Sequence, residues 1–434
     1  MAASVRTERL LKGEPVYQGI AARSEDATRS AATYTGYLAA EPKPISTERW
    51  SSFVRLYATI TSWQQTCLDL LKASIAGDAP ASIAEAALRH VPEHWGYEYH
   101  KRLPKEFIGH PAFYRTDQAA NGLVLEVQCP GSLWGVHEIL LETYDALGFG
   151  HAASTPRLSD GFAAGLRRRR SGETIIHHLL DNASHPAGER FFIQRARKHI
   201  KYFSFDTGVR QQDCNFVRGH DYLSLVAEPF AAERIQRLID GDSVYDLPPV
   251  TLFDQKLLLA FPFWDVTKPH FPDAVRAVFP YTTVVSPEGL RLENGDWVSL
   301  QRFASLPRTQ RGYFLKYAGS DNLLNWGSRA VFHLGKLSQQ ACEARLREVT
   351  RGFDRGIRWI VQRECIGADS VAYVSRTGEV QTSEVHDKYS VFYGPGGPLG
   401  LLAMFESFYK VHGSDETIST VGVHLHDAAG EQVR

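Results

Sequence analysis

Arg115, Asp117, Glu126 and Gln128 are spaced to gather oxygen atoms around a hard cation. Arg115-Thr-Asp117 and Gly122-Leu-Val-Leu-Glu126-Val-Gln128 read as two short strands, with a turn at Asn121-Gly122. Side chains alternate along a strand, so Glu126 and Gln128 share a face. A hairpin brings Asp117 beside them. Two carboxylates and one neutral amide oxygen suit magnesium, which takes one or two carboxylates and fills its shell with water and phosphate. Arg115 falls on the face of Asp117, where a guanidinium could meet an anion. An ordinary surface hairpin also carries scattered acids, so the pattern gains weight only from residues much further along the chain.

Three downstream segments supply positive charge and a place for a nucleotide. Phe253-Asp-Gln-Lys256-Leu-Leu-Leu sets a lysine at the start of an apolar helix. Tyr313-Phe-Leu-Lys316 is a strand ending in lysine, followed by a small polar loop that contains Gly319, Ser320, Gly327 and Ser328. Such a loop can lay backbone amides over phosphates while the lysine supplies a point charge. Arg358-Trp-Ile-Val-Gln362-Arg-Glu364-Cys-Ile is an apolar strand with polar interruptions, suited to the wall of an adenine cleft. Gln362 and Glu364 are its cleft-facing polar residues. None of these is specific alone, since a strand-ending lysine commonly faces solvent. Gly394-Pro-Gly396-Gly397 reads as a rigid turn at least as readily as a nucleotide loop. The chain has neither a Walker lysine loop nor a dinucleotide glycine fingerprint.

In their order and spacing these pieces resemble the circularly permuted ATP-grasp ligases, and most nearly the synthetase domain of glutathionylspermidine synthase. The family's Arg-x-Asp and Glu-x-Asn match Arg115, Asp117, Glu126 and Gln128. Its Asn-Lys-Ala-Leu-Leu matches Gln255-Lys256-Leu-Leu-Leu, and its Val-Lys-Pro before a glycine-rich loop matches Leu315-Lys316-Tyr317. Its hinge strand is approximated by Trp359-Ile-Val-Gln362. Two departures stand out: Gln128 replaces Asn, and Tyr317 replaces Pro before a longer loop. The resemblance spans roughly residues 110 to 395. It implies an α/β (α+β) fold of ATP-grasp type, with antiparallel-rich sheets, flanking helices and an additional small α/β unit. It implies ATP and one or two magnesium ions, with metal on Asp117, Glu126 and Gln128. ATP falls to Lys256, Lys316, Gly319, Ser320, Gly327, Ser328, Gln362, Glu364 and, near the end, Lys388. Arg115 and Lys316 take the catalytic roles. The implied reaction joins a small carboxylate to an amine of amino-acid, peptide or polyamine type, through an acyl phosphate. The family's separate amidase domain has no counterpart here.

Two other function classes stay open: a nucleotide-binding regulatory or partner-binding protein that has lost its chemistry, and a small-molecule kinase. Zinc is disfavoured. His90, His94 and His100 lack His-Glu-x-x-His spacing, and His424 and His426 with Asp427 make only a small set. Cys129 reads as a buried packing residue. Arg167 to Arg170 read as a solvated helix face.

These residues must be held by a chain of 434 residues, enough for two or three packed units. The divisions are a helical region at 1–105, a metal-site hairpin and substrate-binding α/β region at 106–254, a lysine, loop and hinge region at 255–412, and a surface tail at 413–434. The first 45 residues read as a loosely tied arm. Helices are predicted over Ser46 to Ser74, Ala81 to His90, Val136 to Leu147, Ala163 to Leu180 and Ala231 to Ile239. Strands are predicted over Arg190 to Arg195, Asn215 to Arg218, Val250 to Phe253, Tyr313 to Tyr317, Arg329 to Leu334 and Trp359 to Ile366. A net charge of -1 gives no field that would favour nucleic acid or an anionic membrane. Five widely spaced cysteines, no secretory signal and no long apolar run predict a cytoplasmic protein without a membrane span.

Overall fold

The structure is a computed structural model. It describes residues 37–91, 96–102, 111–129, 132–169, separate elements between 175 and 245, and 250–424, with short breaks inside several of these ranges.

A 30-residue helix, Thr47–Ala76, is the first large element. Ser46 caps it by accepting the Arg49 amide at 3.2 Å, and Gly77 ends it with φ 87°. Phe53, Leu56, Ile60, Trp63, Leu68 and Leu71 recur at helical spacing and are buried. They pack against one face of an eight-stranded sheet, together with Tyr389, Val391, Leu401, Ala403 and Phe405.

The strands of that sheet lie in the order Asp369–Val374, Tyr37–Ala39, Ile418–His424, Gly397–Glu406, Val380–Gly394, Tyr114–Gln118 and Val124–Gln128. Lys43–Ile45 also pairs with Ile418–His424. Asp369–Val374 pairs a second time with Val380–Gly394, so the sheet curls back on itself. Helices Trp134–Ala146 and Leu158–Arg169 cover part of the opposite face, with Phe113, Trp134, Phe162 and Phe392 between them.

Besides a two-stranded ribbon of Leu290–Arg291 and Trp297–Val298, the described residues form two four-stranded sheets. One is antiparallel, in the order Val331–His333, Tyr313–Tyr317, Trp359–Arg363 and Thr282–Val285. The other is parallel and joins Tyr202–Ser204, Ile175–His178, Phe216–Arg218 and Val244–Tyr245. The fold is therefore mixed α/β, with antiparallel sheets, flanking helices and a small parallel α/β unit.

The structure corrects several predicted elements. The helix expected over Ala163 to Leu180 spans Leu158–Arg169, and Ile175–His178 is a strand, as two adjacent β-branched residues favour. Val250 to Phe253, expected as a strand, is a 3-10 turn over Thr251–Asp254. Lys256 opens a second such turn, Lys256–Ala260, rather than a longer helix. Within Arg190 to Arg195, Phe192 and Arg195 are helical, not extended. The expected strand Arg329 to Leu334 is the three residues Val331–His333, and Trp359 to Ile366 shortens to Trp359–Arg363. The tail expected at the surface contains Ile418–His424, a buried strand inside the large sheet. Tyr37–Ala39 likewise ties the supposed loose arm into that sheet. Among the described residues, no helix is long and apolar enough to cross a membrane.

Candidate active site

The hairpin forms as its alternation requires. Asp117 lies directly opposite Glu126, and Arg115 opposite Gln128. Opposed residues share a face, so all four side chains point the same way. The register slips after Asp117, between Asp117 and Gln118. Lys388 and Ser390 reach the same patch from the next strand, where Ser390 is paired with Asp117.

Asp117 is the anchor of one half of the site. Arg115 donates to both of its oxygens, at 3.0 and 3.3 Å. Lys388 Nζ donates to Oδ2 at 3.0 Å, and Ser390 Oγ to Oδ1 at 2.8 Å. Burial alone would raise this carboxyl, but Arg115, Lys388 and the Ser390 hydroxyl hold it well below the usual carboxylate range. Arg115 also donates to the Ser132 carbonyl at 2.8 Å, which ties the strand to the turn before helix Trp134–Ala146. Leu133, in that turn, has φ 77°, a left-handed backbone that a branched side chain rarely adopts.

Glu126 anchors the other half. Lys256 Nζ lies 3.1 Å from its Oε1, and Gln128 Nε2 donates to the same oxygen at 3.3 Å. Burial and the nearby Asp117 charge raise this carboxyl, yet Lys256 and Lys316 outweigh them and lower it. Lys316 donates to Gln362 Oε1 at 2.6 Å and to the Leu125 carbonyl at 3.3 Å. Gln362 in turn donates to Thr282 Oγ1 at 3.3 Å. Burial lowers the Lys316 ammonium to about 8, with Lys256 and Lys388 pushing the same way and Glu126 opposing.

Four distant parts of the chain therefore meet at one face: the hairpin, the Lys256 segment, the Lys316 segment and the Lys388 strand. Other expected residues are not brought to it. Ser320 is fully buried, with its hydroxyl 2.8 Å from Thr251 Oγ1 and its amide donating to His90 Nε2 at 3.2 Å. Gly319 is wedged against the Tyr317 hydroxyl and His90. These two residues thus turn inward instead of opening a cradle. Glu364 pairs with His333 at 2.8 Å. Gly327 and Ser328 lie outside the described residues. Ser390 and Thr282 are partners that the sequence alone does not single out. Ser390 was detectable as the residue two along from Lys388 on one strand face.

The donor set can be tested against a divalent cation. Gln128 Oε1 is buried with no hydrogen-bond partner. Glu126 is part-exposed, at 23%. A neutral amide oxygen beside a reachable carboxylate is a hard-oxygen pair of the kind magnesium takes. Asp117 fits less simply, because Arg115, Lys388 and Ser390 already occupy its oxygens. Among the described residues, no group of three His, Cys, Asp or Glu side chains converges as a metal site.

No family model matches the chain, and no curated protein matches it. Among solved structures, a glutathione synthetase-like effector from Globodera pallida in its apo form aligns over 94% of this chain and 97% of its own. The identity is 12% and the TM-score 0.49, so that likeness carries no argument about chemistry.

Proposed function

We propose that the protein is an ATP-dependent carboxylate–amine ligase of ATP-grasp type, forming an amide through an acyl phosphate and releasing ADP and phosphate. The observation that carries this reading is the meeting of Asp117 and Glu126 with Lys256, Lys316 and Lys388 on one face. Facing carboxylates and lysines are the arrangement a polyphosphate and its counter-cation require.

In this reading Glu126, Gln128 and Asp117 would hold magnesium, and Lys388 would supply a further cation towards phosphate. The ion supplies neutralisation of phosphate charge. Lys256 and Lys316 place ammonium groups against the phosphates. Gln362 fixes Lys316 and marks the adenine end, with backbone groups of 363–366 along the ring. Arg115 stands beside the acyl phosphate as charge develops, held in line by Asp117 and the Ser132 carbonyl. The acyl and amine substrates are small molecules. Arg195, Arg197, Lys198, Arg210 and Arg218 are cations of a kind that would suit a carboxylate-bearing one; Arg195 pairs with Glu142 at 2.5 Å, and Arg197, Lys198 and Arg210 lie outside the described residues. Most of the acceleration comes from positioning and electrostatics. The test is ATP consumption against pairs of amino acids, small peptides and polyamines, with mass detection of the product. ADP release that depends on an added amine supports ligation; phosphate transfer to a single substrate would replace it with a kinase.

A second reading, nucleotide binding without ligation, is favoured by two observations. Asp117 is fully occupied by its own chain's cations, and Gly319 and Ser320 face inward. Amine-independent binding with no ADP release would support it.

The lowered Lys316 ammonium gives a pH dependence with a definite sign. A lysine must be protonated to attract phosphate, so ATP affinity is full below about 8 and falls above it. The decline is at most about tenfold per pH unit. Calorimetry at pH 7 and pH 9 reads it directly. Lys316→Met should bind ATP weakly at both pH values and lose the difference between them. Gln128→Asn, which shortens the amide arm by one methylene, should retain ADP release at a higher magnesium requirement.

A further inference from the structure

A small cavity adjoins the Glu126–Lys256 pair and runs to the long helix, beyond the groups that the ligase reading uses. Its volume is about 10 Å³, and it is lined by Trp63 and Gln64 of the long helix, by Gln255 and Lys256 where the two 3-10 turns meet, by Glu126 and Cys129 from the hairpin side, and by apolar side chains. Trp63 Nε1, Gln64 Oε1 and Gln255 Oε1 are each buried without a hydrogen-bond partner. Their residues are 1%, 0% and 5% exposed, so bulk water does not satisfy them. The Gln255 orientation is set from the other side, and Gln64 is oriented with its amide nitrogen towards a thiol. Gln255 Nε2 donates to the Ala87 carbonyl at 2.7 Å and to Thr251 Oγ1 at 3.0 Å, and Gln64 Nε2 lies 3.6 Å from Cys129 Sγ. Flipping Gln255 would turn its oxygen onto the Ala87 carbonyl. What remains is one indole donor and two amide acceptors.

Water matches that set, since it donates twice and accepts at least once. Buried waters make about three such bonds, and one needs roughly 10–15 Å³ of space. A cation would face the indole N–H and the Lys256 ammonium, and an anion would face two carbonyl oxygens and the Glu126 carboxylate. An apolar occupant would leave all three groups unpaired, which is costly in a buried site.

We propose that this cavity is the site of a single ordered water that bridges Trp63 and Gln64 to Gln255. Through that bridge the long helix holds the turn that presents Lys256, so Gln64 and Gln255 are positioning residues for the lysine. The consequence for Lys256 rests on the ligase reading; the water site does not.

A crystal structure of the full chain, at a resolution that places waters, should show one water within hydrogen-bond distance of all three atoms. An empty cavity there overturns the proposal. Urea denaturation of Gln64→Leu, Gln255→Leu and the double variant is the second measurement. With a shared water, each single change destabilises, and the double variant loses less than the sum. The shortfall should be roughly fivefold or more in the folding equilibrium constant. Loss of the Ala87 contact occurs in both legs of the cycle and cancels. A dry cavity predicts the opposite sign for Gln64→Leu, because an unpaired buried carbonyl is removed and stability rises. That result, or strict additivity, also overturns the proposal. If Gln255→Leu does not fold, the wild-type structure and the sign of Gln64→Leu decide.

The positioning role is read from kinetics. Gln64→Leu should raise the KM for ATP several-fold with kcat little changed, at a temperature where the variant is fully folded. An unchanged KM removes the positioning role. If the wild type turns over no ATP at all, the ligase reading fails, while structure and denaturation still judge the water.

Discussion

Glu126→Ala is expected to reduce ADP formation by about 10²-fold or more, the scale on which one preorganised electrostatic group contributes to a transition state. Glu126 is central to the proposed site in two ways. It is the reachable carboxylate beside the unpaired Gln128 oxygen, and it is the anion between Lys256 and Lys316. Removing it leaves those two cations facing each other without a mediator, and burial would then drive the Lys316 ammonium lower still. The measurement is steady-state ADP release across a magnesium titration. Loss of activity that excess magnesium does not restore fits this account. Full activity with an unchanged magnesium requirement would sink the ligase reading at its centre.

Asp117→Ala should show its largest effect on stability. It strands Arg115 and Lys388, whose side chains are 3% and 12% exposed, beside each other without their shared anion. Breaking a buried pair by removing one partner costs about 3–5 kcal/mol. Asp117→Asn should be milder, since an amide oxygen still accepts from Arg115 or Ser390. The sign of the pH dependence follows from the depressed carboxyl. Asp117 stabilises the fold fully above its unfolded value near 3.8, and that contribution is lost as pH falls towards the lower folded value. Denaturation of wild type and Asp117→Asn should therefore differ most at neutral pH and converge as the solution is acidified below about 4. A gap that stays constant down to strong acid would show that Asp117 is not held ionised by its neighbours.

The convergence of Arg115, Asp117, Glu126 and Gln128 was legible because strand alternation is a local rule, and a turn at Asn121-Gly122 folds it over. The long helix was equally legible from its apolar spacing and from Ser46. The contacts of Lys388 and Ser390 with Asp117 were not, because they depend on which strand lies beside the hairpin. That choice is made by packing across some 270 residues of sequence. The inward turn of Gly319 and Ser320 also has a distant cause, His90 and Thr251, which nothing near the loop announces. Short apolar runs misled where helix and strand periodicities coincide, as at Val250 to Phe253. The buried strand at 418–424 was missed because the residues around it are polar, although Ile418, Val421 and Val423 mark its core-facing side chains.

That last strand has a consequence for how the protein is made. Ile418–His424 sits between Tyr37–Ala39 and Gly397–Glu406, so residues 37–39 acquire this second neighbour only when some 380 more have emerged. On the ribosome the large sheet waits with an open seam, and pairings across such separations are slow to close. A nascent chain stalled before residue 418 would expose Leu38, Leu402 and Met404 along that seam, and chaperones would meet it there. A stop codon just ahead of residue 418 would thus leave a hole in the middle of the sheet.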